Sequence, residues 1–186
     1  DMLNYRKLPV LWVMVSVPAP MPVGATLSVM RRPSGTAVFS QADRLDFTLA
    51  TPAGFPALTA VRTDDPAGLP DANIVASQAA LFADDRVKEL VVTPAGLRIV
   101  WLAEEADRSR YLLFRDAELG HDPFPPDDLQ PILSHLAALS AALHAAQSQL
   151  AEAQSAIAAA QSQAAEAQSA MEVAKSQAVE AQSAIE

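Results

Sequence analysis

Adjacent carboxylates and three histidines are the residues in this chain best suited to chemistry. Asp64-Asp65, Asp84-Asp85 and Glu104-Glu105 could serve general acid–base catalysis if two of them met in one pocket, one protonated and one ionised. Each pair lies in or beside a turn signal, where solvated loop carboxylates are expected. His121 with Asp122, Asp127 and Asp128 is the one mixed cluster. Its oxygen-rich set would suit a hard cation, but a hinge and a helix cap account for the same residues. His135 and His144 are nine residues apart, about 180° around a helix, so they cannot share a metal and read as solvated helix histidines. The chain has no cysteine, which excludes disulfides, zinc–thiolate sites and cysteine nucleophiles. It carries no GxSxG, no P-loop and no dinucleotide fingerprint, and six scattered glycines build no phosphate cradle. The expectation is a protein that is not an enzyme, with no catalytic residues, no cofactor and no metal.

The elements that would position any site divide the chain sharply. Every proline, glycine and aromatic residue lies before residue 132. The 186 residues bear a formal charge of −9, which argues against a nucleic-acid partner, since neutralising phosphates needs a basic face. Arg31-Arg32 alone is too short to be one. At this length one modest domain with an appendage is expected.

Near the N-terminus Leu8–Val17 (LPVLWVMVSV) is the longest uncharged apolar run. It falls far short of the roughly 20 residues a membrane span requires. Arg6-Lys7 before it and Val23-Gly24-Ala25 after it sketch a secretory signal. The favoured reading is a buried strand with Pro9 at its start and Pro18 at its end.

Short runs between turn signals follow. Ala25–Arg32 leads into Pro33-Ser34-Gly35, with Thr36–Ser40 beyond, and Leu45–Ala50 alternates with period two, the mark of a half-buried strand. The tetrapeptide Thr-Pro-Ala-Gly occurs at 51–54 and again at 93–96. In both places it joins apolar runs, so it predicts two hairpins. Leu97, Ile99 and Trp101 then share one face. A polar turn at 104–109 followed by Arg110–Asp116 predicts a third strand and a meander over 88–116. Residues 72–85 carry Val75, Ala79 and Phe82 at helical spacing behind a capping Asp71, which favours one short helix. Residues 1–120 therefore read as a mainly β head, a small antiparallel sandwich or barrel with one short helix.

Residues 121–128 form a proline-rich hinge, and the pattern then becomes strictly heptad. Position a runs Leu129, Leu136, Leu143, Leu150, Ile157, Ala164, Met171, Ala178, Ile185; position d runs Ile132, Leu139, Ala146, Ala153, Ala160, Ala167, Ala174, Ala181. No polar residue enters either series, which is specific for a coiled coil. Serine recurs at f and glutamine at e, giving a 14-residue super-repeat. A helix over 129–186 would be on the order of 85 Å long. Such a stripe calls for copies of the same chain, with Leu129–Leu150 providing the strongest contacts and the alanine-rich remainder a thinner extension. The residues expected to mediate oligomerisation are Leu129, Ile132, Leu136, Leu139, Leu143, Ala146, Leu150, Ala153, Ile157, Ala160, Met171 and Ile185. The repeat stops mid-heptad at Glu186 without a capping signal, so continuation is expected.

The β segments before Gly120 and the heptads of Leu129–Ile185 together resemble, in layout, the N-terminal virion-attachment region of bacteriophage tail or collar fibres. The resemblance implies a head that docks on another virion structural protein, a homotrimeric stalk in preference to a dimer, a distal host-binding region, and a place in the virion. The rival is a bacterial surface or periplasmic coiled-coil protein of the adhesin-stalk type, which a signal peptide over residues 1–25 would favour.

Overall fold

A computed structural model describes residues 9–32, 39–116, 119 and 125–183. The strands are β1 (Val10–Pro18), β2 (Leu27–Arg31), β3 (Phe47–Leu49), β4 (Thr59–Thr63), β5 (Val87–Thr93) and β6 (Gly96–Glu105). The helices are α1 (Ala72–Ser77), continued as a 3-10 turn over Gln78–Ala83, then α2 (Arg108–Phe114) and α3 (Pro126–Ser183). The strands form one open sheet in the order β1-β6-β5-β2-β4-β3, with every pair antiparallel. The sheet is open where the sequence allowed a sandwich or a barrel, and the layer packed on it is helical.

The apolar N-terminal run is a strand, bounded by Pro9 and Pro18 as its prolines predict. It pairs with β6 along its whole length, from Val10↔Glu105 to Pro18↔Gly96. That pairing corrects the expected meander. The flank of β6 that a third strand over 110–116 would need is already taken by β1, and residues Arg108–Phe114 form α2 instead. Asp107 caps α2 by accepting the Arg110 backbone N–H at 2.6 Å, and Arg115 closes it in the left-handed region with its N–H on the Tyr111 carbonyl.

Both Thr-Pro-Ala-Gly turns join antiparallel neighbours. The second is tight: Thr93 pairs with Gly96, so only Pro94 and Ala95 lie between them. Gly96 sits at φ +155°, and a Cβ there would fall 2.4 Å from the Val17 carbonyl oxygen. Only glycine lets β1 approach this closely. The first turn belongs to a longer connection between β3 and β4, with Gly54 at φ +93°. The helix predicted over 72–85 begins as expected, with Asp71 accepting the Asn73 N–H at 2.8 Å. It tightens into the 3-10 turn at Gln78, where Ser77 and Gln78 interrupt the apolar stripe. The run Thr36–Ser40 lies largely outside the described residues.

One face of the sheet carries the core. Leu97, Ile99 and Trp101 of β6 share that face, as their alternation predicts, with Val29 of β2, Leu90 and Val92 of β5 and Val61 of β4. Phe82 from the 3-10 turn and Val75 from α1 pack there too. The rest of the covering layer is α3 itself: Ile132, Leu136, Leu139 and Leu143 are buried in the same cluster, and Leu129 packs partly against it. The chain divides into compact units at His144/Ala145, whereas composition alone placed the head's end at Gly120 and the stalk's start at Leu129. A sheet with a continuous apolar face must be covered, and α1 with its 3-10 extension is too short to cover it. The first turns of α3 complete the layer. Of the expected hinge, 121–124 lie outside the described residues, while Pro126, Asp127 and Asp128 are already helical. The two aspartates in that first turn complement the helix dipole. Pro131 therefore falls one turn deeper than a start at Asp128 would place it.

Candidate functional site

Two features stand out by residue type and placement. The first is the heptad stripe of α3, which changes environment along its length. Ile132, Leu136, Leu139 and Leu143 are at most 5% exposed, all within one chain. Ala146 is half-buried. Beyond it Leu150, Ile157 and Met171 are 59, 57 and 69% exposed, and Ala153 and Ala160 are exposed as well. Ile185 lies outside the described residues. At the transition the d positions change from isoleucine and leucine to alanine. The same register continues, but from Leu150 onward a single chain leaves it uncovered.

The second feature is on the sheet face opposite the core. Alternation puts Trp12, Met14 and Ser16 of β1, Arg98 and Val100 of β6, Glu89 and Val91 of β5, Ser28 and Met30 of β2, and Arg62 of β4 on this side. A segment that includes the 3-10 turn Ala42–Arg44 straps it. The Phe39 ring tilts against Trp12 with centroids 5.4 Å apart, the Ser40 hydroxyl donates to Glu89 Oε1 at 2.6 Å, and Asp43 pairs with Arg62 at 3.3 Å. Ser28 donates to the same Glu89 oxygen at 2.8 Å.

Glu89 has no solvent-exposed surface, and its second oxygen, Oε2, has no hydrogen-bond partner. The buried Nε of Arg98 has none either. Both residues line a cavity of about 280 Å³. Ser16 to Pro18, the β5–β6 turn, and Gln41, Ala42 and Leu45 of the strap complete its wall. Neither residue was picked out from sequence. The available signal was an acid and a base, each set inside an apolar strand (VKELVVT and GLRIVWL), on the side that alternation leaves for polar groups.

The residues that sequence analysis weighed for chemistry do not converge. Asp64 is exposed and accepts the Thr26 backbone N–H at 2.7 Å. Its slight burial works against ionisation, but the Thr26 backbone and hydroxyl bonds outweigh this and hold its carboxyl below the usual range. Glu104 and Glu105 are exposed, and His121 lies outside the described residues. Asp84 is held low in the same sense: burial disfavours its charge, but bonds from the Arg86 backbone and side chain and from Trp101 Nε1 (3.1 Å) prevail. Arg86 also lies 4.3 Å over the Trp101 ring. This knot fixes the corner between the 3-10 turn and β5, and the neighbouring Asp85 pairs with Arg31. His135 departs from the solvated reading. It is half-buried, its Nε2 lies 2.7 Å from Gln78 Oε1, and desolvation pushes its pKa down. His144 is exposed, with Nδ1 2.8 Å from the Ser140 carbonyl. Among the described residues no group of three or more His, Asp or Glu side chains could hold a metal ion, and no helix is long and apolar enough to cross a membrane.

No protein-family model, no curated protein and no solved structure matches the chain. What stands is the architecture: a compact antiparallel β-sheet domain followed by a long C-terminal helix, a layout consistent with structural, oligomerising proteins in general.

Proposed function

We propose that the chain is a non-catalytic structural protein of a fibre or appendage. In this reading the β domain docks on another structural protein, and α3 assembles with copies of itself, three in preference to two, to carry a distal host-binding region. A virion is the proposed location. The observation that carries this reading is the stripe beyond the β domain: Leu150, Ile157 and Met171 stay in register with Leu136 and Leu143 yet lie exposed. Exposed aliphatic residues that recur every seven positions are matched best by an identical helix in parallel register. Glutamine at e, broken only by Lys175, and glutamine alternating with alanine at g supply no charge code for a different partner. The seam available between chains starts at Ala146 and is mostly alanine. Each heptad then contributes little at about 25 cal/mol per Å², so the assembly should be concentration-dependent.

The test is the absolute mass in solution of the full chain beside a version ending at His144, which keeps the core residues of α3. A full-length trimer with a folded, monomeric 1–144 supports the proposal. A full-length chain that stays monomeric at high concentration overturns it and points to a different helical partner.

A further inference from the structure

The two edges of the sheet are built differently. An edge strand offers a row of unpaired backbone groups, and folded proteins blunt it with short length, charge or proline. β3 follows that rule: it is three residues long, preceded by Asp46 and followed by Pro52. β1 does not. It is nine residues long, and no Asp, Glu, Lys or Arg occurs anywhere from Leu8 to Met30. Its prolines stand only at its ends, and its register shift falls between Leu11 and Trp12. Among the described residues no strand pairs with its outer flank.

The register fixes which backbone groups are free. Thr93 and Gly96 face each other across the β5–β6 turn, where opposite residues exchange both backbone bonds. Alternation along β6 then turns the backbone groups of Leu97, Ile99 and Trp101 toward β1, opposite Val17, Val15 and Val13. The N–H groups of Trp12, Met14 and Ser16 therefore point away from the sheet. Pro18, next in that series, has no N–H to leave unmet. On the core side Val13, Val15 and Val17 pack against the apolar cluster yet stay only half-buried, so the core runs out to an open border.

We propose that the β domain, in the docking role given to it above, takes an extended segment of its partner as an added strand along β1. The strand site rests on that docking role and gives it a chemistry. The segment runs antiparallel, since parallel pairing is slightly less stable per residue. It is uncharged, to match an uncharged edge, and its alternate residues are aliphatic, so that they sit beside Val13, Val15 and Val17 and close the core. Backbone bonds to Trp12, Met14 and Ser16 supply affinity, and the side-chain alternation supplies specificity. A second copy of this chain is a poorer occupant. Two β1 edges pair about a two-fold axis, and combined with a three-fold stalk that contact would link trimers without closure.

The test titrates the full chain with the uncharged peptide acetyl-TVTVTVT-amide, followed by calorimetry and amide hydrogen exchange. Without peptide, the amides of Met14 and Ser16 should exchange faster than those of Val13, Val15 and Val17; with it they should slow at least about tenfold. The charged analogue acetyl-TDTDTDT-amide should bind at least about tenfold more weakly. Met14→Pro removes one outward N–H and leaves the bonds of Val13 and Val15 to β6. It should weaken the uncharged peptide at least about tenfold, with the fold intact by circular dichroism. Should that variant misfold, the uncharged peptide N-methylated at every residue decides, and it should show the same loss. No binding at millimolar peptide overturns the proposal, as does binding that survives both Met14→Pro and N-methylation. Equal protection of all these amides before peptide is added also overturns it, because the edge would then be covered already. A full chain whose mass falls on Met14→Pro would assign the edge to a second copy instead. Binding is read apart from mass, so a chain that stays monomeric yet takes up the peptide supports the strand site while overturning the stalk assembly.

Discussion

Residues 129–143 and 146–171 of α3 follow one heptad rule, and the chain uses them in opposite ways. In the first stretch the a and d positions are leucine and isoleucine, and they bury against the sheet of their own chain. In the second, d is alanine throughout while a still holds Leu150, Ile157 and Met171 around one alanine, Ala164, and the stripe beyond Ala146 is exposed. Periodicity describes a helix that has an apolar side, but it does not say what covers that side. Side-chain size separates the two stretches. A broad sheet face accepts protruding leucines, whereas a narrow alanine seam lets helices approach closely and leaves too little area for a stable contact with a sheet.

Substitutions can break or sharpen this contrast. Leu136→Ala should lower the unfolding free energy of the β domain by about 2–5 kcal/mol, measured by urea titration; a silent result would mean that α3 is not part of the core. Leu150→Ala should leave that unfolding transition in place and weaken association, by about 1.5–3 kcal/mol per chain if the side chain is fully buried between chains, read by sedimentation equilibrium. Were Leu150→Ala instead to destabilise the domain, the boundary at His144 would be misplaced. Gly96→Ala bears on the sheet rather than the helix. With a Cβ forced against the Val17 carbonyl it should cost roughly 1–3 kcal/mol and lower the melting temperature without changing the mass.

The smallest effect concerns pH at the helix–domain contact. Desolvation depresses the pKa of His135, so the folded state favours its neutral form, while the unfolded chain takes up a proton near pH 6.5. Stability from this contact is therefore complete above that pH and declines as pH falls through the folded-state value. His135→Gln should flatten that part of the pH–stability profile and leave Leu150-dependent association unchanged.

The strands could be read where a proline or a turn signal marked them, β1 between Pro9 and Pro18 and the β5–β6 hairpin around Pro94-Ala95, and the helix α1 could be read from the capping Asp71. What failed was non-local. Residues 110–116 alternate well enough for a strand, but the neighbour such a strand needs is occupied by a segment about ninety residues earlier in the chain, as the pairing Val10↔Glu105 records. The α3 stripe was legible residue by residue, but its division at His144 depends on an apolar sheet face that exists only after folding. Glu89 and Arg98 stood in plain view inside apolar strands. What holds Glu89 there includes Ser40 of the strap, about fifty residues earlier in the chain, and no local pattern encodes that contact.

The pairing of β1 with β6 also imposes an order in time. β1 cannot complete its pairing until residue 105 exists, and the core stays uncovered until Leu143 follows. At about 5–20 residues per second, the uncharged run Val10–Val17 waits on the order of ten seconds during translation with its backbone unpaired. That interval exposes an apolar strand to neighbouring nascent chains. Slowed elongation between residues 20 and 140 should therefore lower the soluble yield more than the same slowing placed after His144.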